Sequence, residues 1–175
     1  DIIWAKSKAM PEPVKDRCTK SHEHIFLLSK NARYYYDNEA IKEDSMDIGE
    51  TNQRFGGNKY GNDKSGDYLI YSGKKYTDNG KRNKRDVWNI ATNGYSEAHF
   101  ATFPVALPEL CIKAGSKEKD LVLDPFAGAG TTGLVADRLG RDAVLIELNP
   151  KYVKMIEDRI RNDAPMFVDI QTFQT

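Results

Sequence analysis

Apolar residues cluster near the two ends of the chain, and a polar stretch separates them. The apolar runs at residues 2–4 and 22–29 predict two strands joined by an extended loop, and a third strand is predicted at 86–90. The aromatic residues at 33–37 fit either an edge strand or a packing surface. Residues 44–85 are rich in Gly, Asn, Asp, Ser and Lys, so this long stretch indicates either a functional insertion or disorder.

The clearest pattern begins at Leu121. A strand at residues 121–124 is predicted to lead into a helix at 131–139, which Gly140 ends, and a second strand follows at 143–147. A strand, a helix and a strand in this order imply a parallel α/β sheet with a right-handed crossover.

Two further helices are predicted. Asn149 and Pro150 are typical of an N-cap and a first helical position. The buried stripe of that helix is expected to contain residues at four-residue spacing, namely Tyr152, Ile156 and Ile160. A helix is also predicted at 107–112, with Gly115 as its end.

Acidic residues follow both strands of the last part, as in a nucleotide-type pocket at the carboxyl ends of parallel strands. Asp124 ends the first strand and Glu147 ends the second, with Gly128 and Gly130 in the turn after the first. The third glycine, Gly133, is one position too early for a dinucleotide fingerprint, and no triphosphate-binding motif is present.

The charges of this pocket favour a ligand without phosphate. A pyrophosphate would meet the negative charge of Asp124, whereas a cationic or amine-bearing ligand would not. Glu147 can accept both hydroxyls of a ribose. S-adenosylmethionine has an amine, a sulfonium and a ribose but no phosphate, and it therefore fits best.

The sequences DPFAGAGTT and IELNP resemble the cofactor motifs of DNA methyltransferases that modify exocyclic amino groups. Upstream, HFATFP resembles the segment that holds the methionine end of the cofactor in that family. Near the start, MPEPVKDR and TKSHE resemble the loop between the last two strands of the catalytic sheet. These motifs occur in an order similar to that of family members in which the motif order is permuted.

This resemblance implies an α/β fold with a Rossmann-like methyltransferase sheet, here incomplete, and an inserted loop-rich target-recognition region. It implies three parts: residues 1–43 with the last two sheet strands and a DNA-facing loop, 44–95 as the recognition region, and 96–175 as the cofactor-binding part. The implied reaction is methyl transfer from S-adenosylmethionine to adenine N6 or cytosine N4 of a flipped base in duplex DNA, as in restriction–modification. The loop and HFATFP lean towards the cytosine enzymes.

The resemblance also implies the site residues. Cofactor contacts are expected from Asp124, Pro125, Phe126, Gly128, Gly130, Thr131, Thr132, Glu147, Asn149, Thr102 and Phe103. DNA contacts are expected from Lys15, Arg17, Lys20, His22, Lys81, Arg82, Lys84 and Arg85. No catalytic residue is expected in this chain.

Several of these residues have alternative roles. Asp124, Thr131 and Thr132 could cap the following helix, and Asp124 could instead order the glycine turn. His22, His24 and Cys18 could on paper hold zinc, but no fourth ligand has suitable spacing, so no metal is expected.

Charge supports DNA binding only locally. The whole chain has 26 basic and 26 acidic residues, whereas residues 51–95 have nine basic and four acidic residues and a net charge of +5. A solvated loop would look the same. Two distant cysteines and the lack of a long apolar run indicate a reduced, cytoplasmic protein without a membrane contact.

The family's catalytic turn, [DNS]-P-P-[YFW], does not occur in the sequence. The chain also opens on Asp1 within an apparent strand. We therefore expect a carboxy-terminal portion of a longer enzyme, inactive alone, or a split subunit that needs a partner chain. Two other classes stay open: a non-catalytic DNA-binding module that keeps the motifs as scaffold, and a methyltransferase of RNA or a small molecule.

Overall fold

The computed structural model describes residues 1–9, 11–44, 81–92, 103–164 and 168–173. Unit 1 contains Asp1–Ile41 and Arg85–Thr175, and unit 2 contains Lys42–Lys84. In chain order the elements are β1 (Ile2–Ala5), β2 (His22–Ile25), β3 (Glu43–Asp44), β4 (Lys81–Arg82), β5 (Val87–Asn89), α1 (Ala106–Gly115), β6 (Leu121–Asp124), α2 (Thr131–Arg138), β7 (Asp142–Leu145) and α3 (Pro150–Asp163).

The first sheet of unit 1 has the order β2-β1-β5. Strand β1 is antiparallel to β2 and parallel to β5, so all three strands predicted from the first half of the chain are confirmed. Trp4 and Trp88 are buried in this sheet, and the Trp4 indole Nε1 donates a hydrogen bond to the Ile90 carbonyl at 2.8 Å. The two buried indoles supply much of the apolar area that holds β5 against β1.

Strand β2 is shorter than its apolar pattern predicts. The ladder pairs Ile2 with Ile25, and β2 ends at Ile25. Phe26, Leu27 and Leu28 are exposed beyond that point. The predicted end of this strand at residue 29 is therefore wrong, and its end follows the register with β1 rather than the apolar run of its own sequence.

The second sheet of unit 1 is the parallel pair β6–β7, joined by α2, as the sequence predicts. Strand β7 ends at Leu145, two residues earlier than predicted. One core cluster contains Ala127, Leu134, Ile156 and Ile160, and a second contains Ile112, Val135 and Ala136. Helix α2 contributes to both clusters, with α3 on one side and α1 on the other.

Helix α3 begins as predicted. The Asn149 side chain accepts a hydrogen bond from the Lys151 amide at 3.0 Å, and Pro150 occupies the first helical position. Ile156 and Ile160 are buried, whereas Tyr152 is half-buried. The four-residue spacing therefore predicted the packed face of the helix correctly, although Tyr152, the first residue of the stripe, lies at the margin of the core.

The face of the β6–β7 sheet formed by Leu121, Leu123, Val144 and Ile146 is exposed. Within the described residues, β6 pairs with β7 alone, and the two sheets of unit 1 do not join. The small sheets of the described residues agree with the incomplete sheet expected from the sequence. An exposed apolar sheet face is a surface that proteins normally cover.

In unit 2, the two-residue strands β3 and β4 form an antiparallel pair. Glu43 of β3 accepts a hydrogen bond from Arg82 Nε at 3.0 Å and lies 3.3 Å from Lys84 Nζ. The predicted recognition region, 44–95, overlaps unit 2 but also includes β5, which belongs to the first sheet of unit 1. Residues 45–80 lie outside the described residues. No helix in the described part of the chain is long and apolar enough to cross a membrane.

The ends of α2 and α3 are linked by a bidentate ion pair that should make stability depend on pH. Arg138 donates from Nε and Nη2 to Asp163 at 2.7 and 2.5 Å, which holds the pKa of Asp163 below its ordinary value. The pair is partly exposed, so replacing Arg138 with methionine should cost only about 0.5–1 kcal/mol at pH 7.

The depressed pKa of Asp163 fixes the direction of that dependence. The contribution is complete above pH ~4 and is lost as the pH falls through the folded-state pKa. Urea titrations at pH 7 and pH 3 should show the difference between the parent and Arg138→Met shrinking in acid. As a control, Lys154→Met removes the more exposed pair with Asp158 and should cost less. An equal cost at both pH values would show that Arg138 acts by packing alone.

Candidate cofactor site

The carboxyl ends of β6 and β7 are tied together by backbone hydrogen bonds. The Ile146 amide donates to the Asp124 carbonyl at 2.9 Å, and the Ala127 amide donates to the Ile146 carbonyl at 3.0 Å. Residues 125–130, which we call the glycine turn, therefore lie beside the segment that follows β7. The two predicted acidic residues are brought to the same edge of the sheet.

Asp124, the residue just before the glycine turn, holds the turn with its carboxylate. Its carboxylate accepts hydrogen bonds from the Phe126 amide at 3.0 Å and from the Thr132 hydroxyl at 2.6 Å. Helix α2 has Gly130 as its N-cap and no side-chain capping bond. The alternative that Asp124, Thr131 or Thr132 caps this helix is thus wrong, because the Thr132 hydroxyl is directed to Asp124 and the Thr131 oxygen accepts from Arg159.

Glu147 joins the glycine turn to the start of α3. Its Oε2 accepts a hydrogen bond from the Gly128 amide at 2.8 Å, and its Oε1 accepts one from the Asn149 amide at 2.9 Å. The residue is half-buried. Each carboxylate oxygen has a further lone-pair direction, so the fixed carboxylate can still accept hydrogen bonds from a ligand with two neighbouring hydroxyls.

The three glycines play different steric roles. A Cβ at Gly128 would meet only the Phe126 carbonyl, at 3.9 Å, so this side of the turn is open. A Cβ at Gly130 would lie 2.8 Å from Ile156 Cγ1, and one at Gly133 would lie 2.5 Å from Leu145 Cδ1. Gly133, although one position early for a dinucleotide fingerprint, still lets α2 pack closely on β7.

Two large apolar side chains close to Glu147 along the paired segments are exposed. Phe126 is 88% exposed and Leu148 is 96% exposed. Phe126 directly precedes Ala127, whose amide donates to the Ile146 carbonyl. Leu148 directly follows Glu147, whose carboxylate accepts from the Gly128 amide. They can therefore contact the faces of a flat, apolar ring held near Glu147. Leu148 was not among the predicted contacts. The signal that could have identified it is its position, as an apolar residue directly after the acid Glu147.

Arg159 of α3 is a second residue that the sequence analysis missed. Its Nη1 donates to the Ala129 carbonyl at 2.8 Å and to the Thr131 hydroxyl oxygen at 3.0 Å. It is half-buried one turn after Ile156, the residue packed against Gly130. An arginine three residues after Ile156 is the only indication of this role in the sequence.

The remaining predicted cofactor residues lie in different places. Pro125, in the glycine turn, and Asn149, the N-cap of α3, are exposed. Phe103 and Thr132 line an apolar cavity of about 420 Å³ between α1, β6 and Ile25. Thr102 lies outside the described residues.

The predicted DNA-binding residues near the start of the chain have local contacts. Lys15, Lys20 and the loop around them are exposed. Arg17 donates to Glu12 at 2.9 Å and to the Cys18 carbonyl at 3.2 Å. The His22 ring meets the His24 ring edge-on at 5.2 Å. Among the described residues, no cluster of three His, Cys, Asp or Glu side chains has the arrangement of a metal site.

The four basic residues predicted near 81–85 differ in exposure and contacts. Within unit 2, Arg82 and Lys84 are paired with Glu43. Lys81 and Arg85 are exposed, and the Arg85 carbonyl accepts a hydrogen bond from the Trp88 indole. The remaining basic residues of the predicted recognition region lie outside the described residues.

Comparisons with known proteins identify the family of this chain. The DNA methylase family N6_N4_Mtase matches residues 1–158. Type II methyltransferase M.SmaI of Serratia marcescens is 44% identical over 160 residues, which cover 91% of this chain and 45% of the relative. The chain thus spans about half the length of this curated relative.

Two solved structures show the fold. The PvuII DNA methyltransferase, named as cytosine-N4-specific, aligns with a TM-score of 0.62 at 21% identity and covers 98% of this chain and 51% of that one. The complex of M1.HpyAVI with SAM aligns with a TM-score of 0.54 at 21% identity, covering 91% and 60%. These likenesses confirm the Rossmann-like methyltransferase fold, and the family match confirms the resemblance seen in the motifs. The chain belongs to the N6_N4_Mtase family of S-adenosylmethionine-dependent DNA amino-methyltransferases.

Proposed function

We propose that this chain is the cofactor-binding part of a type II DNA methyltransferase. It takes part in methyl transfer from S-adenosylmethionine to an exocyclic amine, adenine N6 or cytosine N4, of a base flipped out of duplex DNA. The bacterial relative is a type II methyltransferase, which supports a role in restriction protection in the cytoplasm. The observation that carries the proposal is the bridge from Gly128 through the Glu147 carboxylate to Asn149.

The cofactor fits this bridge with its ribose at Glu147. The exposed side chains of Phe126 and Leu148 would contact the adenine ring. The glycine turn would face the methionine end, where Thr131, Thr132, Thr102 and Phe103 are the predicted contacts. Asp124 contributes a negative charge that favours the cofactor's amine. The bound cofactor supplies an electrophilic methyl group on a sulfonium, and the chain's own residues hold and orient it.

Methyl transfer needs a group that orients the target amine, and we propose that a further strand brings it. The sequence has no [DNS]-P-P-[YFW] turn. The apolar cavity beside β6 and the exposed face of Leu121, Leu123, Val144 and Ile146 are suited to cover by added elements. We propose that a segment of a longer chain, or a partner chain, adds its strand next to β6 and places the catalytic turn by the glycine turn.

Reconstitution tests this proposal. The chain would be mixed or co-expressed with the part of M.SmaI that does not align with it, and methyl transfer from radiolabelled S-adenosylmethionine to duplex DNA would be measured. Nucleoside analysis of the product identifies N6-methyladenine or N4-methylcytosine. We expect no transfer by the chain alone and transfer by the pair. Methylation at carbon 5 of cytosine, or activity of the isolated chain, would contradict the proposal.

Two other functions are separated by simple binding measurements. A non-catalytic module that keeps the motifs as scaffold would give no saturable heat in a titration with S-adenosylmethionine. An RNA methyltransferase would bind structured RNA more tightly than duplex DNA in competition. Saturable cofactor binding together with preference for duplex DNA supports the proposed function.

The exposed residue Lys81 should contribute more to DNA affinity than Arg82 and Lys84, which are paired with Glu43. In reconstituted enzyme, Lys81→Gln should lower the slope of log affinity against log salt by about 0.9, the value for one lost phosphate contact. Arg82→Gln/Lys84→Gln should change the slope less, because Glu43 already neutralises these charges in part. Lys154→Gln, on the exposed side of α3, is the control. Equal slopes in all variants would show that none of these residues contacts DNA phosphates.

A further inference from the structure

Charged side chains from three different elements hold the glycine turn and the residues next to it. Asp124 at the end of β6 accepts from the Phe126 amide and the Thr132 hydroxyl, and Glu147 after β7 accepts from the Gly128 amide. Arg159 of α3 supplies the opposite polarity, because it donates to the Ala129 carbonyl and the Thr131 oxygen. Carboxylates therefore hold donors in and beside the turn, and a guanidinium holds acceptors there.

The Arg159 contacts lie at the point where the turn changes into α2. Ala129 and Thr131 are buried, and Gly130 between them has a left-handed backbone with a φ of 72°. A buried carbonyl needs a hydrogen-bond partner. If the guanidinium were removed, the Ala129 peptide would have to rotate or admit water. Either change would move the backbone between Gly128 and α2.

Helix α3 thus contacts both sides of the proposed cofactor site. At its start, the Asn149 amide donates to Glu147, on the side assigned to the ribose. Ten residues later, or about 15 Å along the helix axis, Arg159 holds the glycine turn, on the side assigned to the methionine end. The first contact is made to the Glu147 carboxylate and the second to the backbone of the glycine turn.

We infer that Arg159 is a positioning residue for the methionine end of the cofactor, a conclusion that rests on the proposed function. It acts through the Ala129 carbonyl and the Thr131 hydroxyl, and it does so without touching the transferred methyl group. Its loss should therefore weaken binding of the amino-acid part of the cofactor more than binding of the nucleoside part.

The test compares two ligands in reconstituted, active enzyme. S-adenosylmethionine has the amino-acid end, whereas 5′-methylthioadenosine lacks it and keeps the ribose that Glu147 would bind. Arg159→Met should weaken S-adenosylmethionine binding about tenfold or more, as expected for the loss of hydrogen bonds from a charged group, and should weaken methylthioadenosine binding less than threefold. Arg159→Lys, which keeps one charged donor, should restore part of the loss.

Two control variants separate positioning from stability. Ile160→Val trims the buried neighbour of Arg159 and should lower the melting temperature without selective loss of either ligand. Arg161→Met removes an exposed arginine from the same helix and should change neither property. Equal losses of both ligands in Arg159→Met, in proportion to the fall in melting temperature, would overturn the inference. A parent enzyme that binds no S-adenosylmethionine would instead overturn the proposed function, and the inference with it.

Discussion

Gly130→Ala is expected to lower the free energy of unfolding by about 2–4 kcal/mol, from a left-handed backbone and an overpacked contact together. Gly130 has a φ of 72°, which an alanine adopts only with strain. Its new Cβ would lie 2.8 and 2.9 Å from Ile156 Cγ1 and Cγ2 and 3.2 Å from Ile156 Cβ. Ile156 is buried and β-branched, so it has little freedom to move away. Urea unfolding followed by circular dichroism measures the loss.

Gly140→Ala is the matched control, since Gly140 has a φ of 68° but nothing within 4 Å of the position of a Cβ. It should cost only about 1 kcal/mol, the backbone part alone. Ile156→Ala should also cost less in the Gly130→Ala background than in the parent, because it removes both clashing γ-carbons. If Gly130→Ala were no more harmful than Gly140→Ala, the close packing of α3 on the glycine turn would be disproved.

The strained position of Gly130 also links stability to function. The residue separates the two atoms that Arg159 binds, the Ala129 carbonyl and the Thr131 oxygen. A shift of the backbone at Gly130 would therefore break at least one of these hydrogen bonds. We expect Gly130→Ala to lose cofactor affinity even under conditions in which it is folded.

Local signals explain which parts of the fold the sequence predicted well. Asn149 and Pro150 act within one helical turn, so the start of α3 could be predicted from two adjacent residues. The limits of β6 likewise follow from an apolar run that ends at an acid. The end of β2 could not be predicted in this way. It depends on the register with β1, in which Ile25 opposes Ile2, and no feature of the β2 sequence records it.

In the candidate site, too, the features set by neighbouring residues were predicted and those set by the packing of distant elements were not. Its glycines and both acids were predicted because they form a contiguous turn and a strand end. The ion pair of Glu43 with Arg82 and the hydrogen bond of Arg159 to Ala129 join residues 39 and 30 positions apart. Such contacts depend on how elements pack, so the sequence marked Arg82 only as a DNA-binding candidate and gave no role to Arg159.

Glu147→Ala is expected to weaken S-adenosylmethionine binding by about 1–3 kcal/mol, or roughly tenfold to a hundredfold, through lost charge-assisted hydrogen bonds to the ribose. The carboxylate is held in place by the Gly128 and Asn149 amides, so the parent protein keeps its acceptor atoms fixed before the ligand arrives. Calorimetric titration of the reconstituted enzyme measures the loss. Glu118→Ala, which removes an exposed charge near the opposite end of β6, should leave the affinity unchanged.

Removing Glu147 also releases the Gly128 amide, so a loss of affinity alone could arise from a disordered turn. A ligand without ribose hydroxyls separates the two causes. The parent should bind the 2′,3′-dideoxy analogue of S-adenosylmethionine about as weakly as Glu147→Ala binds the normal cofactor. The variant should no longer distinguish the two ligands, because the group that recognises the hydroxyls is gone. If Glu147→Ala kept the parent's full preference for the ribose, the carboxylate would serve only to tie the glycine turn to α3, and the hydroxyls would need another acceptor.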